Sequence, residues 1–198
     1  MRKFLKILGI CAILFVLFYT SSVVMLYTQQ RTLMYKPPAD LQTPDSVYEQ
    51  VLIPTKGAPD LPSYYKPARS KKPTILAFHG NGENAGNQAG YLTFIQEAGY
   101  GLLLAEYRGY GGNKGETTKD GIYKDAQAAL TWLNGQGIGN KDIIVLGLSL
   151  GSAPASYLAG THADLLGGIF IVPFSSMGAL AQSYYPLVPF MSALLKDS

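Results

Sequence analysis

The sequence predicts an α/β fold: a mostly parallel sheet flanked by helices, carried on an N-terminal transmembrane helix and truncated before the last strands of such a domain. Three observations predict it. Residues 7–27 carry no charge, short apolar segments alternate with helical patterns from Thr74 onward, and glycine-rich motifs stand where the apolar segments end. Apolar strands alternating with helices imply right-handed crossovers, and therefore a parallel sheet covered on both faces. Ligands of such sheets bind beyond the carboxyl ends of the strands.

The elements follow in order. Residues 7–27 (ILGICAILFVLFYTSSVVMLY) would span roughly 31 Å as a helix, enough to cross a bilayer core and contact membrane lipid. Tyr19 and Tyr27 suit an interface, and Arg2, Lys3 and Lys6 favour a cytoplasmic N-terminus, which puts the globular part of a single-pass protein on the non-cytoplasmic side. A cleaved signal peptide also fits, with Thr20, Ser21 and Ser22 as the small residues near its cleavage site. The extension VVMLY exceeds an ordinary apolar signal core and favours a retained anchor over residues 1–28. Residues 29–46, with Pro37, Pro38 and Pro44 among polar neighbours, read as an extended linker. The globular portion then occupies 47–198. VYEQVLI and the Tyr64-Tyr65 stretch read as strands, TILAFH as a short buried strand, and GNGENAGNQAG as a loop before a helix near 91–98. GLLLAE is a further strand. The helix near 118–134 places Ala126, Ala129, Leu130 and Leu133 on one face. DIIVLGL, a helix opened by SAPASYLAG, and GGIFIV complete the pattern. GIFIV is apolar on both faces like an interior strand, and FMSALLKDS reads as the start of a helix, so the chain reads as the N-terminal portion of a larger domain.

Composition narrows the chemistry. The apolar share is 47%, the net charge is +3, and no basic face is visible, which excludes nucleic acid as a partner. The one cysteine, Cys11, forms no intramolecular disulfide. Gly147-Leu148-Ser149-Leu150-Gly151 matches G-x-S-x-G between a buried strand and a small-residue helix, the setting of a nucleophile elbow with Ser149 as nucleophile. Glycines at 147 and 151 let strand and helix approach while Ser149 takes a strained backbone. An acyl-transfer site also needs N–H donors aimed at the developing oxyanion. The backbone N–H of Leu150 is one, and that of Asn81, in the His79-Gly80-Asn81-Gly82 loop, is the candidate for the other. His79 precedes a tight turn and suits a packed residue better than a base. A function of another class competes: Gly80-Asn81-Gly82-Glu83-Asn84-Ala85 satisfies a dinucleotide fingerprint, with Glu106 as its ribose-binding acid, although this leaves GLSLGS unexplained.

The chain resembles the α/β-hydrolase superfamily, in its membrane-anchored, bud-emergence-like serine hydrolase branch. The stretches that carry the resemblance are QQRTLMYKP, FHGNGEN, AEYRGYGGNKGE, GLSLGSAPASYLA and VPFSSM, in family order over most of 29–177. Glu106 departs from it, standing where the pattern has aspartate. The resemblance implies attack by Ser149 on an ester, thioester or amide bond of a small acyl or peptide substrate, with no metal or organic cofactor. It also implies a chain order of nucleophile, acid, histidine. Downstream of Ser149 stand only His162, with Asp164 and Asp197 as acids. Thirteen residues of mostly helical chain put His162 about 20 Å from Ser149, against about 3 Å for proton transfer. The expectation is a serine hydrolase whose triad acid and histidine are not in these residues, inactive as it stands. The alternative is a catalytically dead, membrane-tethered binding module.

Overall fold

A computed structural model describes residues 2–188 and 191–197. It contains helix α1 (Arg2–Met34), strands β1 (Glu49–Ile53), β2 (Leu61–Lys66) and β3 (Thr74–Phe78), and helices α2 (Ala85–Tyr91) and α3 (Thr93–Glu97). There follow β4 (Gly101–Ala105), α4 (Lys119–Gly135), β5 (Ile143–Leu148), α5 (Ser152–Thr161), β6 (Gly167–Ile171), α6 (Met177–Tyr184) and α7 (Met191–Leu194). The chain divides into two compact units: Tyr35–Ser175, which holds the sheet, and a helical unit of α1, α6 and α7.

The sheet has the order β1-β2-β4-β3-β5-β6. β1, β2 and β4 pair antiparallel, whereas β4, β3, β5 and β6 are parallel. β3 and β4 are buried at every position, as their unbroken apolar sequences require when both faces are covered. α4 starts where the Thr118 hydroxyl accepts the Gly121 N–H and lays Ile122, Ala126, Ala129, Leu130 and Leu133 into the core. β6 pairs with β5 along one edge, and Ile169, Phe170 and Ile171 are about 40% exposed. Among the described residues it is the last strand of the sheet rather than an interior one.

Two boundaries differ from the sequence reading. The helix expected at 91–98 is present as α3; before it α2 starts at Ala85, inside the stretch read as a loop. Asn84 and Asn87 cap it reciprocally, each side chain taking the other's backbone N–H (3.0 and 3.2 Å). This is a capping box with asparagine where glutamate or glutamine is usual. Gly86 is required there because a Cβ would lie 2.8 Å from Thr43 N. α1 in turn continues to Met34, since TQQRTLM holds no helix breaker before Pro37. The irregular segment that follows is held in place: the Asn84 side chain donates to Gln42 O at 2.7 Å.

Candidate active site

Strand β5 ends at Leu148, and the chain turns through a single 3₁₀ turn, Ser149–Gly151, into α5. Ser149 has φ +48°, a left-handed conformation that a non-glycine residue adopts at a cost of order 1–3 kcal/mol when its surroundings impose it. Those surroundings are backbone. A Cβ on Gly147 would lie 2.6 Å from Ser152 Cα, and one on Gly151 would lie 2.6 Å from Phe78 C and 2.8 Å from His79 O. The two glycines therefore let α5 start directly against β5 and the end of β3, leaving Ser149 as the strained residue at the bend.

The register brings the candidate loops to one place. Phe78 of β3 is the partner of Gly147 of β5, so 79–82 and 149–151 leave the carboxyl ends of neighbouring parallel strands. Leu148 O lies 3.6 Å from where a Gly80 Cβ would be. Leu150 is buried, with its N–H in the first turn after Ser149. Asn81 is clasped by its side chain: Oδ1 accepts the Tyr110 hydroxyl at 2.6 Å and the Lys36 N–H at 2.7 Å. Lys36 N–H also lies 3.1 Å from the Tyr110 hydroxyl. The segment after α1 is thus part of what orients the Asn81 loop, a feature that no local sequence signal marks.

Beneath this loop lies a buried polar layer. His79 is fully buried, with Nδ1–H donating to Gly80 O at 2.9 Å and Nε2 facing Glu106 Oε2 at 3.3 Å. Its ring packs on Tyr107 (4.2 Å between centroids) and Tyr110 (5.3 Å). Tyr107 donates to His79 O at 2.9 Å, and burial, with Glu106 next in effect, raises its pKa well above the ordinary phenol value. Glu106 accepts the Ala85 N–H at 2.7 Å and lies directly under Gly111. Held there at 4% exposure, it is not presented to a ribose, which removes the acid that the dinucleotide reading needs. Alongside, Arg108 and Asp125 form a buried ion pair that holds the 107–117 loop to α4.

Glu83 belongs to the same layer. Burial raises its pKa and the nearby His79 opposes the rise, while its Oε2 has no hydrogen-bond partner among the described residues. A carboxyl whose folded pKa is raised binds its proton more tightly folded than unfolded. Stability therefore falls as pH climbs through the interval between the unfolded and folded values. Glu83→Gln is expected to melt at a higher temperature than the native chain at about pH 8 and to match it near about pH 4, where the glutamate is protonated. Thermal unfolding across pH checks this, and an equal effect at both ends would contradict it.

The remaining candidates lie elsewhere. His162 caps the far end of α5, and its Nε2 is 2.9 Å from Gln127 Oε1. Asp164 accepts from the Asn140 side chain at 3.1 and 3.2 Å. Asp197 pairs with Arg31 in the helical unit. Neither histidine makes a hydrogen bond to Ser149.

The chain matches the α/β-hydrolase fold family over residues 73–191. It is 33% identical over 183 residues to an uncharacterized protein of Mycobacterium tuberculosis, covering 88% of this chain and 65% of that one. Protein bem46 of Schizosaccharomyces pombe is 29% identical over 177 residues, covering 81% of this chain and 59% of its own length. The chain thus spans less than two thirds of either relative. Among solved structures, an esterase of Pyrococcus furiosus superposes with a TM-score of 0.61 at 23% identity, covering 83% of this chain and 68% of that one, and shares its fold. With this sheet order, the Gly-x-Ser-x-Gly turn at the end of β5 and the bem46 match, the chain belongs to the α/β-hydrolase fold family, in its bud-emergence-like branch.

Proposed function

We propose that this chain carries the nucleophile half of a membrane-anchored serine hydrolase, acting on an ester, thioester or amide bond through an acyl-enzyme on Ser149. The observation that carries the proposal is Ser149 itself: a serine held at φ +48° between two glycines that admit no Cβ, at the carboxyl end of a parallel strand. Nothing in packing alone asks for a serine at a strained bend, whereas a nucleophile elbow does. The N–H groups of Leu150 and Asn81 then serve as oxyanion donors, and the clasp on the Asn81 side chain keeps its loop from swinging away. The two histidines bond elsewhere, His79 to Gly80 O and His162 to the Gln127 side chain. α1 is long and apolar enough to cross a membrane and serves as the anchor, with the globular part on the non-cytoplasmic side.

A second reading, a catalytically silent module that binds an acyl or peptide ligand, is favoured by the histidines. His79 gives its Nδ1–H to Gly80 O and turns Nε2 toward Glu106 inside the buried layer, and His162 sits at the wrong end of α5. Two measurements test Ser149. The 198-residue chain is expected to hydrolyse a p-nitrophenyl ester within a few-fold of its Ser149→Ala form, since oxyanion donors alone supply only part of triad catalysis. A fast, Ser149-dependent rate would instead identify a base among these residues, with His79 the first to test. Covalent reaction of a fluorophosphonate at Ser149, absent from Ser149→Ala, marks an activated nucleophile. Reaction at a different serine overturns the assignment of Ser149.

A further inference from the structure

Between Asp164 and Lys196 the sequence contains no charged residue, a second uncharged stretch after that of the N-terminal helix. Its C-terminal part belongs to the helical unit, where it runs down α1 and back. Ala181 of α6 and Tyr185 just after it line a cavity with Val23, Leu26 and Leu33 of α1. The turn after α6 reaches Tyr19, whose hydroxyl donates to Leu187 O at 3.4 Å. The chain then returns along α1, so that Lys196 N–H donates to Gln30 Oε1 at 2.7 Å and Asp197 pairs with Arg31 at 3.1 Å. Lys196 Nζ sits over the Tyr27 ring at 4.7 Å.

Three features of this hairpin suit lipid and not water. Its outward face is apolar: Leu187 is 87% exposed and Tyr184 73%, with Leu180 one turn above Tyr184. Much of its turn is hydrogen-bonded from within although it is exposed. Tyr185 O accepts from Val188 N–H and from the Gln182 side chain, which also donates to Val188 O, while Leu187 O has Tyr19 and Pro186 has no N–H to satisfy. Water would meet such groups at no cost, but a bilayer core demands that they be met from within. Lastly, charge resumes on both segments at the same level, Arg31 at the end of α1 beside Lys196 and Asp197, as expected where lipid gives way to headgroups and water.

We infer that residues 176–188 and 191–197 lie in the membrane as the two arms of a re-entrant hairpin, with the turn at 185–188 buried in lipid beside α1. The inference rests on α1 being the membrane anchor. From Arg31 to Tyr19 the helix rises roughly 18 Å, against a hydrocarbon core of about 30 Å. The turn therefore enters one leaflet and stops short of the far side, and α6, with eight residues, is too short to span. Leu187 and Tyr184 then present their side chains to acyl chains, continuous with the exposed apolar face of α1.

The test uses the full chain with Cys11→Ser, reconstituted in phosphatidylcholine vesicles, with an environment-sensitive fluorophore on single cysteines. Leu187→Cys is compared with Phe15→Cys within α1 and with Lys141→Cys on the exposed surface of the sheet unit. Tyr184→Cys repeats the measurement should the label at 187 disturb folding. Positions 187 and 184 are expected to match position 15: blue-shifted emission, strong quenching by doxyl-labelled lipid, and little by aqueous iodide. Position 141 is expected to show the reverse. If 187 and 184 respond to iodide while 15 responds to lipid, the hairpin lies in water, and the inference falls although the anchor stands. Shielding of 187 and 184 from both quenchers indicates a protein contact and also overturns it. If 15 itself responds to iodide, the anchor reading fails and takes the hairpin with it.

Discussion

Replacing Arg108 or Asp125 by alanine is expected to lower the free energy of unfolding by about 3–5 kcal/mol, because each change strands the partner's charge in the interior. Asp125 is 2% exposed and Arg108 8%. One carboxylate takes the Arg108 backbone N–H at 3.0 Å, its Nε at 3.0 and 3.1 Å, and its Nη2 at 2.5 Å. The guanidinium fits only because Gly121 opens α4 beneath it, where a Cβ would lie 2.7 Å from Arg108 Cδ. The Thr117 hydroxyl completes the clamp, donating to Arg108 O at 2.9 Å. Denaturant unfolding of both single variants measures the loss. A double variant, Arg108→Met with Asp125→Leu, should recover much of it, since two apolar side chains leave no unpaired charge. Single variants within about 1 kcal/mol of the native chain would show that water reaches the pair.

Gly151→Ala is expected to cost about 3 kcal/mol or more, at or beyond the upper end of ordinary overpacking. The clash is with main chain, Phe78 C at 2.6 Å and His79 O at 2.8 Å, and no side-chain rotation relieves it. Relief requires α5 to move away from β3, which would also shift the bend that holds Ser149. Gly160→Ala, on the same helix with nothing near its Cβ position, is the control and should be neutral or slightly stabilising. Thermal or denaturant unfolding of the two variants makes the comparison, and equal stabilities would mean that the turn is loosely packed.

The parallel sheet was legible because its signals are local. TILAF, GLLLA and IIVLGL are apolar without interruption and bounded by glycine or polar residues, and that pattern alone identifies strands buried on both faces. The helix at α4 was legible for the same reason, its period of apolar residues starting after a threonine cap. The start of α2 was not, since Gly-Asn-rich composition ordinarily marks a loop and the reciprocal Asn84–Asn87 cap shows itself only in three dimensions. Nor does any periodicity foretell that residues after β6 fold back along α1.

For the site, the nucleophile's setting was already written in the residue order: a strand, a tight turn and a helix, with glycine at 147 and 151 where a side chain would meet backbone. Its two histidines, His79 and His162, were legible there as well. What those residues do was left to tertiary structure, because each partner lies far along the chain. Lys36 reaches Asn81 across 45 residues, Glu106 reaches Ala85 across 21, and Arg108 reaches Asp125 across 17. His79 stands next to the candidate oxyanion loop in sequence, yet the fold commits one ring nitrogen to Gly80 O and turns the other to Glu106. Proximity in the chain nominates a base, but only the direction of its ring nitrogens in space decides whether it can act as one.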